Sequence, residues 1–283
     1  RANLEHQVSG IFKIGLNLNQ SRTLNERLSG DRQFDNPIQM VALAPMTPEK
    51  DPATGLPVGT PPGDASIPVY YNPLINIGNA YYNTTVNRNI STAYGELGLL
   101  KNLKFRTELG LDILNQYEEQ YYNSKTVRNF GAPAGIANRR YTNVNNVNTN
   151  NYFNYNQLFG RVNLDATAGM SLQRSQLKRN FVEKQDFPSD AYRQLASAAR
   201  ITDGSSAQTD FAFLSYFART NFKLYDRFLL GLSGRIDGSS RFGANSRYGF
   251  FPAASAGWVL SDEGFLKNVK ALTFLKVRAS WGR

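Results

Sequence analysis

Residues 103–113 read Leu-Lys-Phe-Arg-Thr-Glu-Leu-Gly-Leu-Asp-Ile and show the clearest alternation in the chain. The odd positions are apolar apart from one threonine, and the even positions carry four charges and a glycine. Because successive side chains of a strand point to opposite faces, this segment predicts a strand with one apolar and one charged face. Four charges on one face suit water, so the outside of the sheet can be apolar while its inside is wet.

Eight further segments have the length and composition of strands, and several share this alternation. Six of the nine strands carry a clean split between an apolar and a polar face. Aromatic residues often stand near predicted strand ends, which is typical of an interfacial aromatic girdle, although the general preference of aromatic residues for strands also accounts for it (Tyr94, Tyr117, Tyr121, Tyr122, Tyr152, Tyr155, Phe228 and Trp258). The nine predicted strands cover about 8–21, 88–100, 103–114, 150–158, 162–173, 211–222, 228–237, 248–260 and 272–282.

Tight and long connections alternate between these segments. The tight links are 101–102, 159–161, 223–227 and 261–271, and the long ones are 23–87, 115–150, 174–210 and 238–247. In an up-and-down sheet every second connection lies at the same end, so the tight links share one rim. The pattern predicts an all-β fold, an antiparallel up-and-down transmembrane β-barrel with long extracellular loops. Residues 23–87 hold most of the prolines and are predicted to be one such extracellular loop.

Composition agrees with this class and argues against several others. The chain has 283 residues, a mean hydropathy of −0.43 and no run of eighteen apolar residues, so a transmembrane helix is not predicted. The net charge is +10, but the basic residues are scattered, so nucleic-acid binding is not predicted. The chain starts at Arg1 and ends inside a predicted strand. We therefore expect an internal piece of a longer protein.

The sequence offers no catalytic or metal-binding motif. His6 is the only histidine, cysteine is absent, and neither a serine-nucleophile elbow nor a phosphate-binding loop occurs. The loop aspartates lack the spacing of a calcium loop. We therefore predict no enzyme activity, no cofactor and no metal site.

A polar cluster near one predicted loop is the candidate site. It consists of Arg235, Asp237, Arg241 and Arg247. One interpretation is a rim that contacts substrate or a capping partner. The other is an ion-pair network that orders the loop and the wall of the barrel, which is common inside barrels.

Three sequence motifs near the end of the chain identify a family with good specificity when they occur in this order. They are Asp-Gly-Ser-Ser-Arg-Phe-Gly at 237–243, Phe-Pro-Ala-Ala-Ser-Ala-Gly-Trp at 251–258 and Leu-Lys-Val-Arg-Ala-Ser-Trp-Gly at 275–282. With them, residues 211–283 resemble the barrel of SusC/RagA-like TonB-dependent transporters of Bacteroidetes outer membranes. Residues 1–150 resemble that family in the order of strands and connections more than in the amino-acid sequence itself.

The resemblance implies that residues 1–283 are part of a single barrel domain. They would supply about nine strands of a plugged barrel of about 22, with the plug domain and final strands absent. It also implies a location in the bacterial cell outer membrane, contact with its lipid, and import of a glycan oligosaccharide or a peptide. The implied partners are a SusD-like surface lipoprotein and the TonB-ExbB-ExbD complex, the latter through an absent N-terminal region.

A second hypothesis is a soluble, secreted β-sandwich that binds carbohydrate. Loop tyrosines and asparagines suit sugar binding as well as they suit ordered loops. A sandwich requires the apolar faces of two sheets to meet across a dry core. A barrel segment requires all of these faces to lie on one uncovered side of a single sheet.

Overall fold

The strands of this chain form a single up-and-down sheet. The computed structural model describes residues 1–28, 36, 38, 41, 45–50, 52, 55, 57, 73–126, 135–266 and 272–283. Within them, a ten-stranded antiparallel sheet follows the order of the chain. Its strands are β1 (Ala2–Gln7), β2 (Phe12–Arg27), β3 (Ala80–Leu100), β4 (Leu103–Tyr122), β5 (Ile136–Phe159), β6 (Val162–Gln185), β7 (Arg200–Leu224), β8 (Phe228–Ser239), β9 (Tyr248–Val259) and β10 (Lys276–Gly282).

Helical structure is confined to short 3₁₀ turns in the connections. In the described residues these are Pro73–Ile75, Leu195–Ser197, Ala244–Ser246 and Leu260–Asp262. No helix in this part of the chain has the length and hydrophobicity needed to cross a membrane.

The prediction of nine strands misses a hairpin at the start of the chain. The predicted strand 8–21 runs through a turn, in which the Val8 amide donates to the Phe12 carbonyl at 2.9 Å. The preceding strand β1 has only 6 residues, with two apolar side chains among polar ones. Such a short segment gives little periodic signal, so its pairing with β2 is visible only in the structure.

Most strands are far longer than predicted. The predicted long connections 115–150 and 174–210 are largely strand, because β5 and β6 have 24 residues each and β7 has 25. A strand of 24 residues extends about 80 Å, whereas a membrane needs about 9–11 residues of each strand. Strands of this length would therefore extend well beyond the hydrocarbon layer of the predicted membrane barrel.

The connection between β2 and β3 is shorter than the predicted loop 23–87. Strand β2 continues to Arg27 and β3 begins at Ala80. Much of the chain between them lies outside the described residues, so its extracellular position stays a prediction.

Connections alternate between two rims, as the sequence predicts. One rim, here called the short-turn rim, carries the described residues 8–11, 101–102, 160–161, 225–227, 260–266 and 272–275. The strand ends at the opposite loop rim are joined to the described residues 28, 73–79, 123–126, 135, 186–199 and 240–247. The last short-rim connection is longer than the predicted link 261–271, because β10 begins only at Lys276.

Left-handed backbone makes one short turn compact. Tyr225 and Asp226 have φ values of 50° and 61°, and the Lys223 ammonium lies 2.7 Å from the Asp226 carboxylate. Positive φ at both central residues matches the twist of a hairpin, which is why such turns join neighbouring strands tightly.

The register places the apolar sides of all ten strands on one face. Leu109 pairs with Ala93 and Thr149, Met170 pairs with Tyr216, and so on across the sheet. We call this face the apolar band; its members include Leu4, Ile14, Leu16, Leu18, Leu103, Phe105, Leu109, Leu111, Phe153, Met170, Leu172, Leu214, Leu230, Leu232, Ile236, Val277 and Trp281. The opposite side of the sheet is called the polar face.

No described residue covers the apolar band. Leu232 and Phe153 are each 46% exposed, and Trp281 is 62% exposed. In the described residues the sheet has no second sheet packed against it, so the sandwich hypothesis is wrong. An uncovered apolar face of this width suits lipid rather than water.

Aromatic side chains border the band near the short-turn rim. The rings of Phe228 and Trp258 stack at 5.9 Å, and those of Phe105 and Phe153 lie 5.0 Å apart. Tyr94, Tyr122 and Tyr152, which the sequence assigned to the girdle, instead lie on the polar face in the register. Strand position alone could not separate the two faces.

The sheet changes polarity towards the loop rim. Beyond Ile113, the apolar side chains move to the polar face, where Leu114, Val144 and Leu177 are directly paired across three strands. The face that carried the band becomes rich in amides, as at Asn115. The change marks the point at which the strands leave the hydrocarbon and acquire the polarity of a sheet in water.

The two faces predict opposite responses to the same substitution. Met170→Arg places a cation in the apolar band and should destabilise the assembled full-length protein by up to about 2–4 kcal/mol. Ser171→Arg places it one residue away on the polar face and should change stability by under about 0.5 kcal/mol. The fraction that keeps its folded mobility in an unheated gel measures the difference. Equal losses for both variants would contradict the assignment of the faces.

Candidate lumen-facing polar surface

Charged side chains on the polar face form a connected network near the short-turn rim. Glu96 accepts from Lys104 at 2.9 Å, and Arg106 lies 3.5 Å from Glu96 and 2.7 Å from Glu108. The guanidinium of Arg106 also stacks on the Tyr94 ring at 3.9 Å. These groups share a face because every one occupies an alternate position of its strand. Paired opposite charges keep this wall of the sheet polar without leaving a strong local field of one sign.

A second group on the polar face centres on a buried carboxylate. Glu118 is 6% exposed and lies 3.5 Å from Arg27 and 3.3 Å from Arg140. The Tyr82 hydroxyl donates to the same carboxylate at 2.8 Å. Two cations and a phenol compensate its desolvation, and they tie together strands β2 to β5 beyond the apolar band.

Two of the predicted site residues meet on the polar face. The Arg235 Nε donates to Asp237 at 2.6 Å, and an Arg235 Nη donates to the Ser215 hydroxyl at 3.0 Å. This pair therefore bridges β7 and β8. The arrangement agrees with an ordering role for the pair, while leaving the guanidinium half exposed for other contacts.

The other two predicted residues lie apart from that pair. Arg241, in the connection 240–247, stacks its guanidinium on the Phe211 ring at 4.1 Å. Arg247 contributes its backbone carbonyl, which accepts from the Ser239 amide at 3.0 Å. The four residues thus form a rim segment and not one convergent site, and their contact with substrate or partner stays a prediction.

Aromatic rings continue the polar face around this segment. Phe211 and Phe213 meet edge to face at 5.6 Å, and Tyr152 approaches Phe217 at 6.5 Å. These rings give the wall apolar patches between charged groups. No group of three or more metal-ligating side chains converges in the part of the chain that the structure describes.

A folded loop segment that the sequence did not indicate covers the other face near the loop rim. Residues 186–199, here called the strap, place Phe187 against Tyr121 and Ala137. Tyr121 and Ala137 lie on the side of the sheet that carries the apolar band lower down. The sequence signals for it were weak: Phe187, Leu195 and Ala198 are apolar residues within a mostly polar connection, and all three pack in this cluster.

Polar contacts fix the strap to the preceding loop. The Asp190 carboxylate accepts from the Ser124 amide at 3.0 Å, from the Ser124 hydroxyl at 2.7 Å and from the Tyr121 hydroxyl at 3.2 Å. Arg193 places its guanidinium over the Tyr121 ring at 5.5 Å. Arg139 also forms an ion pair with Glu119 beneath the strap.

These contacts shift two ionisation equilibria at the strap. Burial, with the nearby Asp190 charge, raises the pKa of Tyr121 to about 12. Burial alone would raise the pKa of Asp190, but the hydrogen bonds from Ser124 and Tyr121 outweigh it and lower that pKa. A carboxyl group with a lowered pKa stabilises the folded strap above its unfolded-state value. This stabilisation is lost as pH falls through the folded-state value.

Comparison with known proteins identifies the family. Residues 41–283 match the family model described as TonB dependent receptor-like, beta-barrel. The chain belongs to this family. Its members are barrels of the bacterial outer membrane, so the apolar band faces lipid and the polar face lines the lumen.

Several TonB-dependent receptors are similar in sequence. TonB-dependent receptor P3 of Formosa agariphila is 30% identical over 191 residues, which is 67% of this chain and 19% of that protein. TonB-dependent receptor SusC of Bacteroides thetaiotaomicron is 35% identical over 137 residues, covering 48% of this chain and 13% of SusC. The chain thus spans about a fifth or less of these two relatives.

A solved structure shares the fold. The structure of the RagAB peptide transporter matches 99% of this chain and 32% of its own, with a TM-score of 0.83 and 18% sequence identity. At this identity the match concerns the fold alone. The relatives and the family model confirm the resemblance to SusC/RagA-like TonB-dependent receptor barrels that the sequence motifs indicated.

One substitution beneath the strap should increase its local opening. Tyr121→Phe removes a hydroxyl that donates to Asp190, and should cost about 1 kcal/mol, or roughly a fivefold rise in strap opening. Trypsin cleavage at Arg193 in outer membranes measures that opening. Tyr117→Phe is the control, because Tyr117 lies on the same strand and face but is 41% exposed. If the two variants were cleaved equally fast, the Asp190 contact would have no anchoring role.

Proposed function

We propose that the full-length protein containing this chain imports a nutrient across the outer membrane, using energy transmitted by TonB. The observation that supports this most is the family match over residues 41–283 in a sheet with one lipid-facing and one polar face. Such a wall can surround a solute pathway, because its charges and hydrogen-bonding groups are directed to the lumen. On this proposal residues 1–283 belong to a single barrel domain and 23–87 to its extracellular side.

The proposed substrate is a glycan oligosaccharide or a peptide. One relative is TonB-dependent receptor SusC, and the solved structure with the same fold is that of the RagAB peptide transporter. Each name describes the protein that carries it, and only the second names a substrate class. In this chain, the rings of Phe211 and Phe217 beside the Arg235–Asp237 pair offer both stacking and hydrogen bonding. Both substrate classes can use such a wall.

Two partners complete the proposed mechanism. A SusD-like surface lipoprotein would cap the loop rim and hold the substrate there. The TonB-ExbB-ExbD complex would supply energy through an N-terminal region, displacing a plug from the lumen. The relatives are receptors and transporters, which is compatible with a protein that performs no covalent chemistry.

Uptake in the native host tests the proposal. Labelled oligosaccharides and peptides should enter cells that carry the gene, and uptake of one class should be lost when the gene is deleted. Loss of TonB should abolish that uptake while leaving binding at the cell surface, since only the energy-dependent step is removed. Uptake that persists without TonB would contradict energy coupling.

One pair of variants distinguishes a rim that contacts substrate from a cluster that only stabilises the loop. Arg241→Ala should weaken surface binding of substrate by about tenfold, or about 1.4 kcal/mol, if the side chain contacts it. The control is Arg161→Ala, which removes a similar cation–π contact, 5.9 Å from the Tyr225 ring, on the opposite rim. Binding isotherms on whole cells, with the folded gel mobility of each variant, measure both effects. If Arg241→Ala lowers the folded fraction while the remaining folded protein binds substrate with unchanged affinity, the cluster has only a structural role.

A further inference from the structure

A concave recess lies on the polar face close to the short-turn rim. It has a volume of about 680 Å³ and is formed by strands β6 to β10. Two adjacent rows of the register make up its wall, one running from Lys223 to Arg278 and the other from Asp165 to Ser280. None of the four predicted site residues lines it.

Two glycines keep the centre of this recess low. A Cβ atom on Gly231 would lie 2.6 Å from the Ser255 hydroxyl oxygen, and one on Gly257 would lie 3.3 Å from the Lys276 side chain. Glycine inside a strand weakens it and often marks a site where a ligand approaches the backbone closely. Because these two positions lack side chains, a ligand can lie across the sheet between the polar groups at the edges of the recess.

Cations outnumber carboxylates around the recess. Arg219, Lys276 and Arg278 line it, and none of them forms a salt bridge within the described residues. Of the residues that line it, Asp165 alone carries a carboxylate, which accepts from the Asn221 amide at 3.5 Å. The recess therefore has a net positive charge.

Several cations elsewhere on the polar face are compensated within the wall itself. Lys104 and Arg106 pair with Glu96, and Arg235 pairs with Asp237. The general polarity of this face therefore does not account for the uncompensated cations of the recess. A concave surface lined by charge of one sign raises the local concentration of solutes of the opposite sign.

These cations stand too far apart to share one anionic group. Lys223 and Arg278 lie three strands apart in one row, which separates their Cα atoms by about 14 Å. Arg219 precedes Lys223 by four residues of β7, or about 13 Å. Lys223 also lies 2.7 Å from the Asp226 carboxylate and is already partly compensated. A ligand that meets the whole set must carry several anionic groups along its length.

The two substrate classes proposed above have carboxylates in common as their anionic groups. Arg and Lys form strong charge-assisted hydrogen bonds with carboxylates. Between the cations, Asn221 and Ser255 offer donors and acceptors for hydroxyl or amide groups. We propose that this surface, here called the basic recess, binds an imported solute that carries several carboxylates. An acidic oligosaccharide and an acidic peptide share this chemistry.

The position of the basic recess assigns it to a late step of import. Short turns of outer-membrane barrels face the periplasm, so the recess lies opposite the rim at which a solute enters. It would attract the solute after entry and affect the rate of passage more than capture at the cell surface. The inference rests on the proposed function, because the recess lies on a solute pathway only if the barrel imports a solute.

The first measurement is the charge of what the full-length protein imports. Host cells with and without the gene receive two mixtures, one of oligogalacturonides with their methyl esters, the other of pentapeptides in which every Glu-containing member has a Gln counterpart. Mass spectrometry of the medium follows depletion. Gene-dependent uptake should favour members with two or more side-group carboxylates at least tenfold over their neutral counterparts. The mixture in which this occurs identifies the source of the carboxylates.

Matched double variants then locate the selectivity. Arg219→Gln with Arg278→Gln should slow uptake of the acidic members about five- to tenfold and change surface binding by less than twofold. Arg219→Lys with Arg278→Lys keeps the charge and should retain at least half of the rate. The control is Lys101→Gln with Arg161→Gln, which removes two cations of the same rim that do not line the recess. Folded gel mobility confirms assembly of each full-length variant.

Four outcomes would overturn the proposal. Gene-dependent uptake that favours neutral members, or none of the acidic members from either mixture, would remove carboxylates from the substrate. Unchanged uptake in the Gln double variant would remove the recess from the pathway. Entry of an unrelated large antibiotic into that variant without TonB would instead assign the cations to holding a segment of the polypeptide in the lumen. TonB-dependent uptake of neutral oligomers refutes the recess alone, whereas uptake that persists without TonB refutes the proposed function itself.

Discussion

Backbone hydrogen bonding in a solvent without water governs this structure. Within hydrocarbon every amide must find a partner in the protein, and a sheet achieves this only when each strand is paired on both sides. Pairing fixes the register, and a register error of one residue would reverse the faces of a strand. The apolar band therefore depends on ten strands keeping the same phase, from Leu4 to Trp281.

The reversal of polarity near Ile113 has the same origin. Below it, the side chains facing outward must dissolve in lipid, and those facing inward meet water and ions. Beyond it, the outer side meets polar groups, and Leu114, Val144 and Leu177 gather on the inner wall. One continuous strand thus carries two opposite patterns, and its pairing continues unchanged through the boundary.

This reversal also explains how far the sequence could be interpreted. Alternation at 103–113 predicted the strand and its two faces correctly, because the pattern there has one phase. The family was indicated by the separate motifs at 237–282. The alternation failed beyond Leu114, where phase changes and asparagines suggested a loop. Asparagine is rare in strands, but here the Asn143 amide donates to the Asn115 oxygen across two of them. Such compensation depends on register, which no single segment reveals.

The candidate site was predictable only in part. Arg235 and Asp237 are two residues apart on one strand, so their proximity follows from sequence spacing. The stacking of Arg241 on Phe211 joins residues from separate elements and needed the fold. The strap was missed because its few apolar residues acquire meaning only against Tyr121 and Ala137.

The strap has a kinetic consequence for biogenesis. Asp190 meets Ser124 across a sequence separation of 66 residues, whereas neighbouring strands can pair through turns of a few residues. Contacts between distant segments carry a larger loop-closure entropy and form later. Hairpins such as β5–β6 can therefore pair first, and the contact between Asp190 and Ser124 forms after the strands beneath it have paired. A protease would therefore find the strap accessible until the contact between Asp190 and Ser124 has formed.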